Sequence, residues 1–498
     1  MKTTLIAVKL LAALLVACAA PIQDTPQNDR SVEIPPTLAP LKPSPTQPAT
    51  KASPAPTEKA TAAPTPTVQY SDAPLESSVL LMMWSLRHGE LHTVDPDTGH
   101  DLRGYTSINM GHHFSHAFSP DGKTLAAVTY PGDSGNGGVL HLIDLPTWRD
   151  VTTTLKFNSW ISTMSFSPDG SRLALAYAGK PTRAHGMPEG YHLASVDVTA
   201  QTLIAQTSFD FAPGVVGYAA DGASLVVYGV IYDTDTGLNV QPPRAVLLDA
   251  ADLSVEWELE LPTVLDGQFT QKESNGTETY VGWWPAAVFS PDRQALYIVH
   301  ADEDMLTTVN FTARVAHTVA IGPARSWLEQ LLALGAGVAH AKGPIDGATK
   351  RAVLSSDGKR LYVVGQTNNT FKDAKGELQY KQTPLGLQVI DAATGVEIAR
   401  FDTEATEVGI SPDGTQLYLR GWSATAWTDV LDVNRLEAIK HLAGQYVTPA
   451  WRLDGKPILL ASNSSSTYQT VISVLDAESL DEIHVWPVKG YASWLAAP

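Results

Sequence analysis

Three histidines lie within five positions of the segment NMGHHFSH: His112, His113 and His116. Neutral imidazole is a common ligand of divalent metal ions, so this spacing raises the question of a metal site. The segment runs directly into an apolar stretch and the tight turn sequence SPDG, which indicates a β-strand. On a strand, His112 and His116 share one face and His113 points to the other. At most two of these imidazoles can therefore bind one ion, and the remaining ligands must come from elsewhere in the chain.

Further candidate ligands are His300, Asp302 and Glu407. Imidazole and carboxylate groups together can hold a divalent ion that activates a water molecule. The sequence itself does not bring these three residues near the histidine segment. It also contains no GxSxG nucleophile motif, no phosphate-binding P-loop and no HExxH zinc motif.

The N-terminus reads as an export signal. Lys2 and Lys9 lie in the first nine residues, which lead into a short apolar run, LLAALLVA, that is too short to cross a bilayer as a stable helix. The run ends at LVAC, which resembles the bacterial lipobox, where the peptide is cleaved before a cysteine that is then lipidated. This resemblance implies that residues 1–17 are a lipoprotein signal peptide and that Cys18 carries the lipid. The open alternative is an ordinary secretory signal with an incidental cysteine.

Residues 18–77 contain the lipidated cysteine and a segment dominated by Pro, Thr, Ala and Ser. Such a composition buries little apolar surface, so we expect a disordered linker that tends toward polyproline II. The chain as a whole has 34 basic and 52 acidic residues and a formal charge of −18. This balance argues against a nucleic-acid partner and leaves the N-terminal lipid as the expected membrane contact.

From residue 78 onward a strand–turn–strand unit recurs around SPDG-like turns. FSPDGKTLAAV, FSPDGSRLALA and ISPDGTQLYLR are three copies. The aligned aspartates are 41 to 71 residues apart, namely Asp121, Asp169, Asp221, Asp292, Asp357, Asp413 and Asp454. Pro, Asp and Gly each favour a tight turn, so we interpret these aspartates as structural. The spacing is typical of propeller blades with connections of varying length.

A second motif, exemplified by LQVIDAATGVEI, alternates with the first and completes four antiparallel strands, A to D, per unit. An extra copy, LHTVDPDTGHDL, follows the strand SVLLMMWSL but lacks an SPDG partner. The C-terminal YASWL can supply its missing first strand, which would close a ring without exposed sheet edges. The sequence therefore predicts an all-β propeller over residues 78–498 with eight four-stranded blades. Seven blades remain the alternative.

The recurring SPDG and VIDAATG motifs resemble those of bacterial YVTN-type and WD-repeat-like β-propellers over residues 78–498. The resemblance implies the fold. That family includes lactonase-like enzymes, receptor-like binding proteins and interaction scaffolds, so it leaves the function open.

All long connections are expected on one face of the propeller. The A–B and C–D turns are short, whereas the B–C connections near residues 178, 229 and 365 and the D–A connections 262–284 and 322–350 are long. Insertions gathered on one face of a repeat protein usually mark the binding face. Residues 323–343 carry a helical apolar stripe and predict a short helix over this face. The candidate binding residues here are His112, His116, Trp160, Trp283, Trp284, His300, Asp302, Arg420 and Trp422.

These observations predict a membrane-anchored, extracytoplasmic lipoprotein of the bacterial cell envelope. Its long-loop face is expected to bind a protein or a cell-wall glycan, without catalytic residues, cofactor or metal. The alternative is a metal-dependent, lactonase-like hydrolase with one divalent ion at the channel mouth, bound by His112, His116, His300, Asp302 and Glu407. The linker is expected to enter from the short-turn face, so that the long-loop face points away from the membrane.

Overall fold

The chain divides into two units, Met1–Pro66 and Thr67–Pro498. The computed structural model describes residues within the second unit. These are 69–84, 89–105, 107–111, 115–129, 138–157, 161–179, 190–231, 242–272, 278–323, 347–372, 378–422, 425–464, 469–489 and 491–494. Cys18, the signal segment and most of the linker lie outside the described residues, as does nearly all of the helix predicted within 323–343.

In the part of the chain that the structure describes, seven sheets have four strands each and are called blades 1 to 7. Blade 1 contains β1 (Val79–Trp84), β2 (Gly89–Val94), β3 (Ile108–Gly111) and β35 (Tyr491–Trp494). Blade 2 contains β4 (Ser115–Phe118), β5 (Thr124–Thr129), β6 (Gly138–Asp144) and β7 (Arg149–Phe157). Blade 3 contains β8 (Ile161–Phe166), β9 (Arg172–Ala178), β10 (Tyr191–Asp197) and β11 (Thr202–Phe209). Blade 4 contains β12 (Ala212–Tyr218), β13 (Ser224–Val230), β14 (Arg244–Asp249) and β15 (Val255–Glu260).

Blades 5 to 7 follow the same antiparallel order. Blade 5 contains β18 (Ala286–Phe289), β19 (Ala295–Val299), β20 (Met305–Asn310) and β21 (Val315–Ala320). Blade 6 contains β27 (Glu407–Ile410), β28 (Gln416–Trp422), β29 (Ala426–Asp432) and β30 (Ala438–Ala443). Blade 7 contains β31 (Tyr446–Trp451), β32 (Pro457–Ser464), β33 (Gln469–Leu475) and β34 (Glu482–Lys489). The fold is an all-β propeller.

One further sheet, between blades 5 and 6, has seven strands and is called the extended sheet. It contains β16 (Gly267–Lys272), β17 (Glu278–Trp284), β22 (Gly347–Leu354), β23 (Arg360–Lys372), β24 (Leu378–Pro384), β25 (Leu387–Asp391) and β26 (Glu397–Phe401). The prediction of eight four-stranded blades is therefore wrong, and the alternative of seven matches the described residues. The difference arises because two insertions interpreted as loops form strands β16, β17 and β24, which join this sheet.

The C-terminal strand closes the ring. In β35, Trp494 lies opposite Leu81 and Tyr491 lies opposite Trp84 in an antiparallel ladder with β1. The predicted closure by the two termini is confirmed. It covers the edge of β1 that an open ring would leave unpaired.

The sequence of β1, VLLMMW, is a continuous apolar run, and the packing of its side chains explains why. Val79 and Leu81 pack against blade 7, whereas Leu80 and Met82 pack against Leu125 and other side chains of blade 2. Blades on both sides cover β1, so the successive side chains from Val79 to Met82 are all buried even though they alternate in direction.

The SPDG aspartates act in turns, as predicted. The carboxylate of Asp169 accepts hydrogen bonds from the Ser167 hydroxyl (2.6 Å) and the Ser171 backbone N–H (3.1 Å), and Gly170 has φ of 72°. These donors lower the pKa of Asp169 to about 2. A 3₁₀ turn, Leu75–Ser77, precedes β1. Within the described part of the chain, the structure contains no helix long and apolar enough to span a membrane.

Candidate functional site

The long-loop face carries the two additions to the extended sheet. Strand β23 continues for 13 residues, and its last seven, from Gln366 to Lys372, pair with β24. On the other side, β17 runs parallel to the start of β22, with Trp283 opposite Ala348. Gly347, the first residue of β22, lies opposite Asn368 in β23. Both additions therefore flank the end of the sheet that faces the long connections.

A cavity of about 340 Å³ opens beside these additions, between the inner strands of blade 4, blade 5 and the extended sheet. This volume lies within the ~300–1,000 Å³ range that is typical of small-molecule sites. Its lining consists of Gly214, Val215, Tyr228, Asp266, Trp284, Pro285, Ala286, Ala287, Val288, Lys350, Arg351 and Ala352. Small apolar side chains dominate, and a few polar and aromatic groups converge among them.

Asp266 is the half-buried acid of this cavity. The Tyr228 hydroxyl donates a hydrogen bond to Asp266 Oδ2 at 2.8 Å, and the Gly267 backbone N–H donates another. Desolvation outweighs both bonds and raises the pKa of Asp266 to about 6. The carboxyl group therefore changes its charge near physiological pH, which is typical of functional positions.

Two consecutive tryptophans lie in different environments, one in the core and one at the cavity. Trp283 is buried and packs with Leu265, Ala301 and Ala348, whereas Trp284 points the other way and is 39% exposed. The Trp284 indole lies across Gly282, where an added Cβ would come within 2.1 Å of the ring. Glycine at 282 therefore makes room for the ring against the strand, and the exposed aromatic surface forms part of the cavity wall.

His300 lies beneath the face rather than on it. It is fully buried just after β19, and its Nε2 lies 2.7 Å from the Thr307 hydroxyl. That hydroxyl is 2.8 Å from the Thr318 hydroxyl, while His300 Nδ1 is a buried nitrogen without a hydrogen-bond partner. Burial and the nearby charge of Lys350 lower the pKa of His300 to about 4. The imidazole is therefore neutral at pH 7.

Lys350 connects β22 to the segment after His300. It is almost fully buried, and its ammonium donates to the Glu303 carbonyl at 3.2 Å and lies 3.4 Å from Asp304 Oδ1. Burial lowers the pKa of Lys350, and the charges of Asp304 and Asp302 oppose that shift. Asp302 is exposed, so of the pair His300 and Asp302 only the carboxylate is accessible on the face.

A second cluster of polar side chains lies between blades 6 and 7. Glu407 and Tyr446 begin the inner strands of these blades, and Arg420 lies in the neighbouring strand β28. The Tyr446 hydroxyl donates to Glu407, and the Arg420 guanidinium lies 4.9 Å from the centre of the Tyr446 ring. Arg420 also donates to the Thr448 hydroxyl at 3.0 Å and lies 3.7 Å from Glu407 Oε2. Glu407 is thus engaged by Arg420 and Tyr446, and Arg420 joins the two blades.

The remaining predicted site residues are dispersed. His116, in β4 of blade 2, is accessible to solvent, but desolvation by the surrounding protein lowers its pKa to about 4. Trp422 ends β28 opposite Ala426. His112 and Trp160 lie outside the described residues. The predicted metal ligands His116, His300 and Glu407 belong to three different blades, and the described residues hold no group of three or more His, Cys, Asp or Glu side chains that could bind an ion.

Sequence reasoning missed Asp266, Tyr228, Lys350 and Arg351. Asp266 stands in VLDGQF, where Asp before Gly reads as an ordinary turn. Tyr228 and Lys350 stand in apolar strands and look like core or edge positions. Their convergence depends on packing between blades, for which the sequence carries no local signal.

Comparison with known proteins supports the fold alone. No family model matches the chain, and no curated protein matches it in sequence. The solved dihydro-heme d1 dehydrogenase NirN, in complex with DHE, is similar over 86% of this chain and 77% of its own, with 13% identity and a TM-score of 0.52. BamB from Moraxella catarrhalis is similar over 76% of this chain and 92% of its own, with 11% identity and a TM-score of 0.42. The β-propeller domain of Cps50 (Swd1) from Myceliophteria thermophila is similar over 72% of this chain and 95% of its own, with 14% identity and a TM-score of 0.40.

Proposed function

We propose that this protein is a lipid-anchored, extracytoplasmic binding protein of the bacterial cell envelope. Its propeller binds a protein or a cell-envelope glycan through the long-loop face and catalyses no reaction. The observation that carries this proposal is the asymmetry of the two faces. The cavity, the exposed Trp284 and both additions to the extended sheet lie on one face, whereas tight turns form the other.

The route of the chain into blade 1 bears on how the propeller is oriented at the membrane. Asp454, in a short turn of blade 7, donates its backbone N–H to the Glu76 carbonyl at 2.7 Å, and Leu453 donates to Ser78 at 2.9 Å. Residues 76–78 therefore pack against the short-turn face before β1 begins. This route supports an orientation in which the long-loop face points away from the membrane.

The lipid anchor is tested by replacing the single cysteine. A bacterial lipoprotein carries more than one acyl chain, which is enough for stable membrane binding. We expect the full-length protein to fractionate with membranes and Cys18→Ala to move to the soluble fraction. A Cys18→Ala protein that stays with the membrane would contradict lipid anchoring.

The binding face is tested by blocking each face in turn. Cys18 is the only cysteine, so once it is lipidated an introduced cysteine is uniquely reactive toward a maleimide. Gln382→Cys lies at an exposed position of β24 on the long-loop face, and Lys359→Cys lies at an exposed position of a turn on the opposite face. A polyethylene glycol attached at 382 should abolish retention on isolated envelope material, whereas the same polymer at 359 should leave it unchanged. Equal loss at both positions, or loss at 359 alone, would contradict the proposal.

A further inference from the structure

The cavity beside the extended sheet has the size of a small-molecule site rather than of a protein groove. Its 340 Å³ lies near the lower end of the ~300–1,000 Å³ typical of ligand pockets. It lies where the inner strands of blades 4 and 5 and the extended sheet meet. A chain of sugars that crosses the long-loop face can insert one ring here, while its remainder lies along the face.

Trp284 provides a flat apolar wall for such a ring. The Gly282 backbone supports one part of the indole, and the remainder is exposed. An indole offers a large contact area and has only two side-chain torsions to restrain, so ordering it costs little entropy. The apolar C–H face of a pyranose matches this surface.

Asp266 provides the hydrogen-bond acceptor. Tyr228 and Gly267 are among the donors to this carboxylate, and an ionised carboxylate has about four acceptor positions. Sugar hydroxyl groups are donors that can bind the same carboxylate. Because the Tyr228 bond fixes the acid, its orientation is set before a ligand arrives.

The charges around the cavity favour a neutral ligand. Arg351 is exposed and lines the cavity together with Asp266, so charges of both signs are present. The ammonium group of Lys350 is already engaged with Glu303 and Asp304. A polyhydroxylated neutral molecule can use both donors and acceptors of this lining, whereas a strongly charged ligand would meet one group of its own sign.

We propose that this cavity binds one sugar unit of a neutral saccharide, with the pyranose ring against Trp284 and its hydroxyl groups on Asp266. This inference rests on the proposed function, because it names the chemistry that the long-loop face recognises.

The test measures saccharide binding by the full-length protein in detergent. The probes are maltotriose and the β-1,4-linked trimer of N-acetylglucosamine, and the methods are titration calorimetry and tryptophan fluorescence. We expect at least one probe to bind and to shift the fluorescence. Trp284→Ala and Asp266→Asn should each weaken that binding at least tenfold, whereas Asp402→Asn, which changes an exposed carboxylate, should not.

Gly282→Ala is a second variant that keeps every polar group of the cavity. Its new Cβ would displace the indole, so we expect the same loss of binding as for Trp284→Ala. Thermal unfolding of each variant establishes that it is folded, and Trp284→Phe, which retains an aromatic face, should recover part of the affinity.

Two results would overturn the inference. In the first, the probes bind and Trp284→Ala, Asp266→Asn and Gly282→Ala bind them as tightly as the unmodified chain. In the second, neither probe binds. If retention on envelope material still depends on an unblocked position 382, only the saccharide inference fails and the proposed binding face stands. If that dependence is also absent, both fail.

Discussion

The Tyr228 hydroxyl holds Asp266 at 2.8 Å inside a cavity where desolvation raises the pKa of the acid to about 6. The two residues come from different parts of the chain, Tyr228 from β13 and Asp266 from the connection that follows β15. A desolvated acid that is ionised at neutral pH costs stability, because desolvation disfavours its charged form. This cost to stability favours a role for Asp266 in binding over a role in folding.

Asp266→Asn should therefore stabilise the protein at pH 7. The folded pKa of about 6 lies above the unfolded value of 3.8, so the folded state binds the proton more tightly. The stability due to this group is greatest at low pH and is lost as pH rises from about 4 to 6. A difference of roughly two pKa units corresponds to at most about 3 kcal/mol at pH 7.

Urea unfolding at pH 7 checks this prediction, with Asp402→Asn as the control. We expect a higher free energy of unfolding for Asp266→Asn and no change for the control. A clear loss of stability in Asp266→Asn would mean that the carboxylate serves the fold.

His300 should make the protein less stable as the pH falls. Its folded pKa of about 4 lies below the unfolded value of 6.5, so the unfolded state binds the proton more tightly. The contribution of the neutral, buried imidazole is complete above pH 6.5 and is lost as pH falls toward 4. The difference of about 2.5 between the unfolded and folded pKa values of His300 corresponds to about 3 kcal/mol in the free energy of unfolding.

His300→Gln keeps a polar group within reach of Thr307 and removes the titration. Unfolding measured at pH 7 and at pH 4.5 should show a smaller decrease in stability for His300→Gln than for the unmodified chain. Equal decreases would place the acid sensitivity elsewhere.

Arg420 should stabilise the contact between blades 6 and 7. Its side chain is 12% exposed and donates to Thr448, and hydrogen bonds that involve a charged group contribute about 1.5–3 kcal/mol. We expect Arg420→Ala to lower the free energy of unfolding by about 2 kcal/mol. Arg435→Ala, which removes an exposed arginine on the short-turn side, is the matched control and should change stability by less than about 0.5 kcal/mol.

The C-terminal strand should be required for a closed ring. Truncation after Gly490 removes β35 and leaves the edge of β1 unpaired, which favours unfolding and association between molecules. We expect a lower melting temperature and oligomers in size-exclusion chromatography. Truncation after Trp494 keeps the strand and should behave like the full chain. Equal behaviour of the two truncations would contradict closure by β35.

The sequence allowed the propeller, its closure and the turn role of Asp169 to be predicted, because these depend on local periodicity and turn chemistry. The number of four-stranded blades was wrong because β16, β17 and β24 arise from insertions whose polar composition resembles loops. Of the residues that line the cavity, the sequence singled out Trp284. Trp283 and His300 are buried, since strand direction and packing between blades decide exposure. Asp266 could not be found because its importance comes from Tyr228, almost forty residues away.

The most direct test of the binding face uses photo-crosslinking in intact cells of the source organism. A photoreactive phenylalanine analogue is placed at Gln382 or Arg351 on the long-loop face, or at Lys123 or Lys359 on the short-turn face. We expect discrete crosslinked products from positions 382 and 351 and none from positions 123 and 359. Products from the short-turn positions, with none from the long-loop positions, would contradict it.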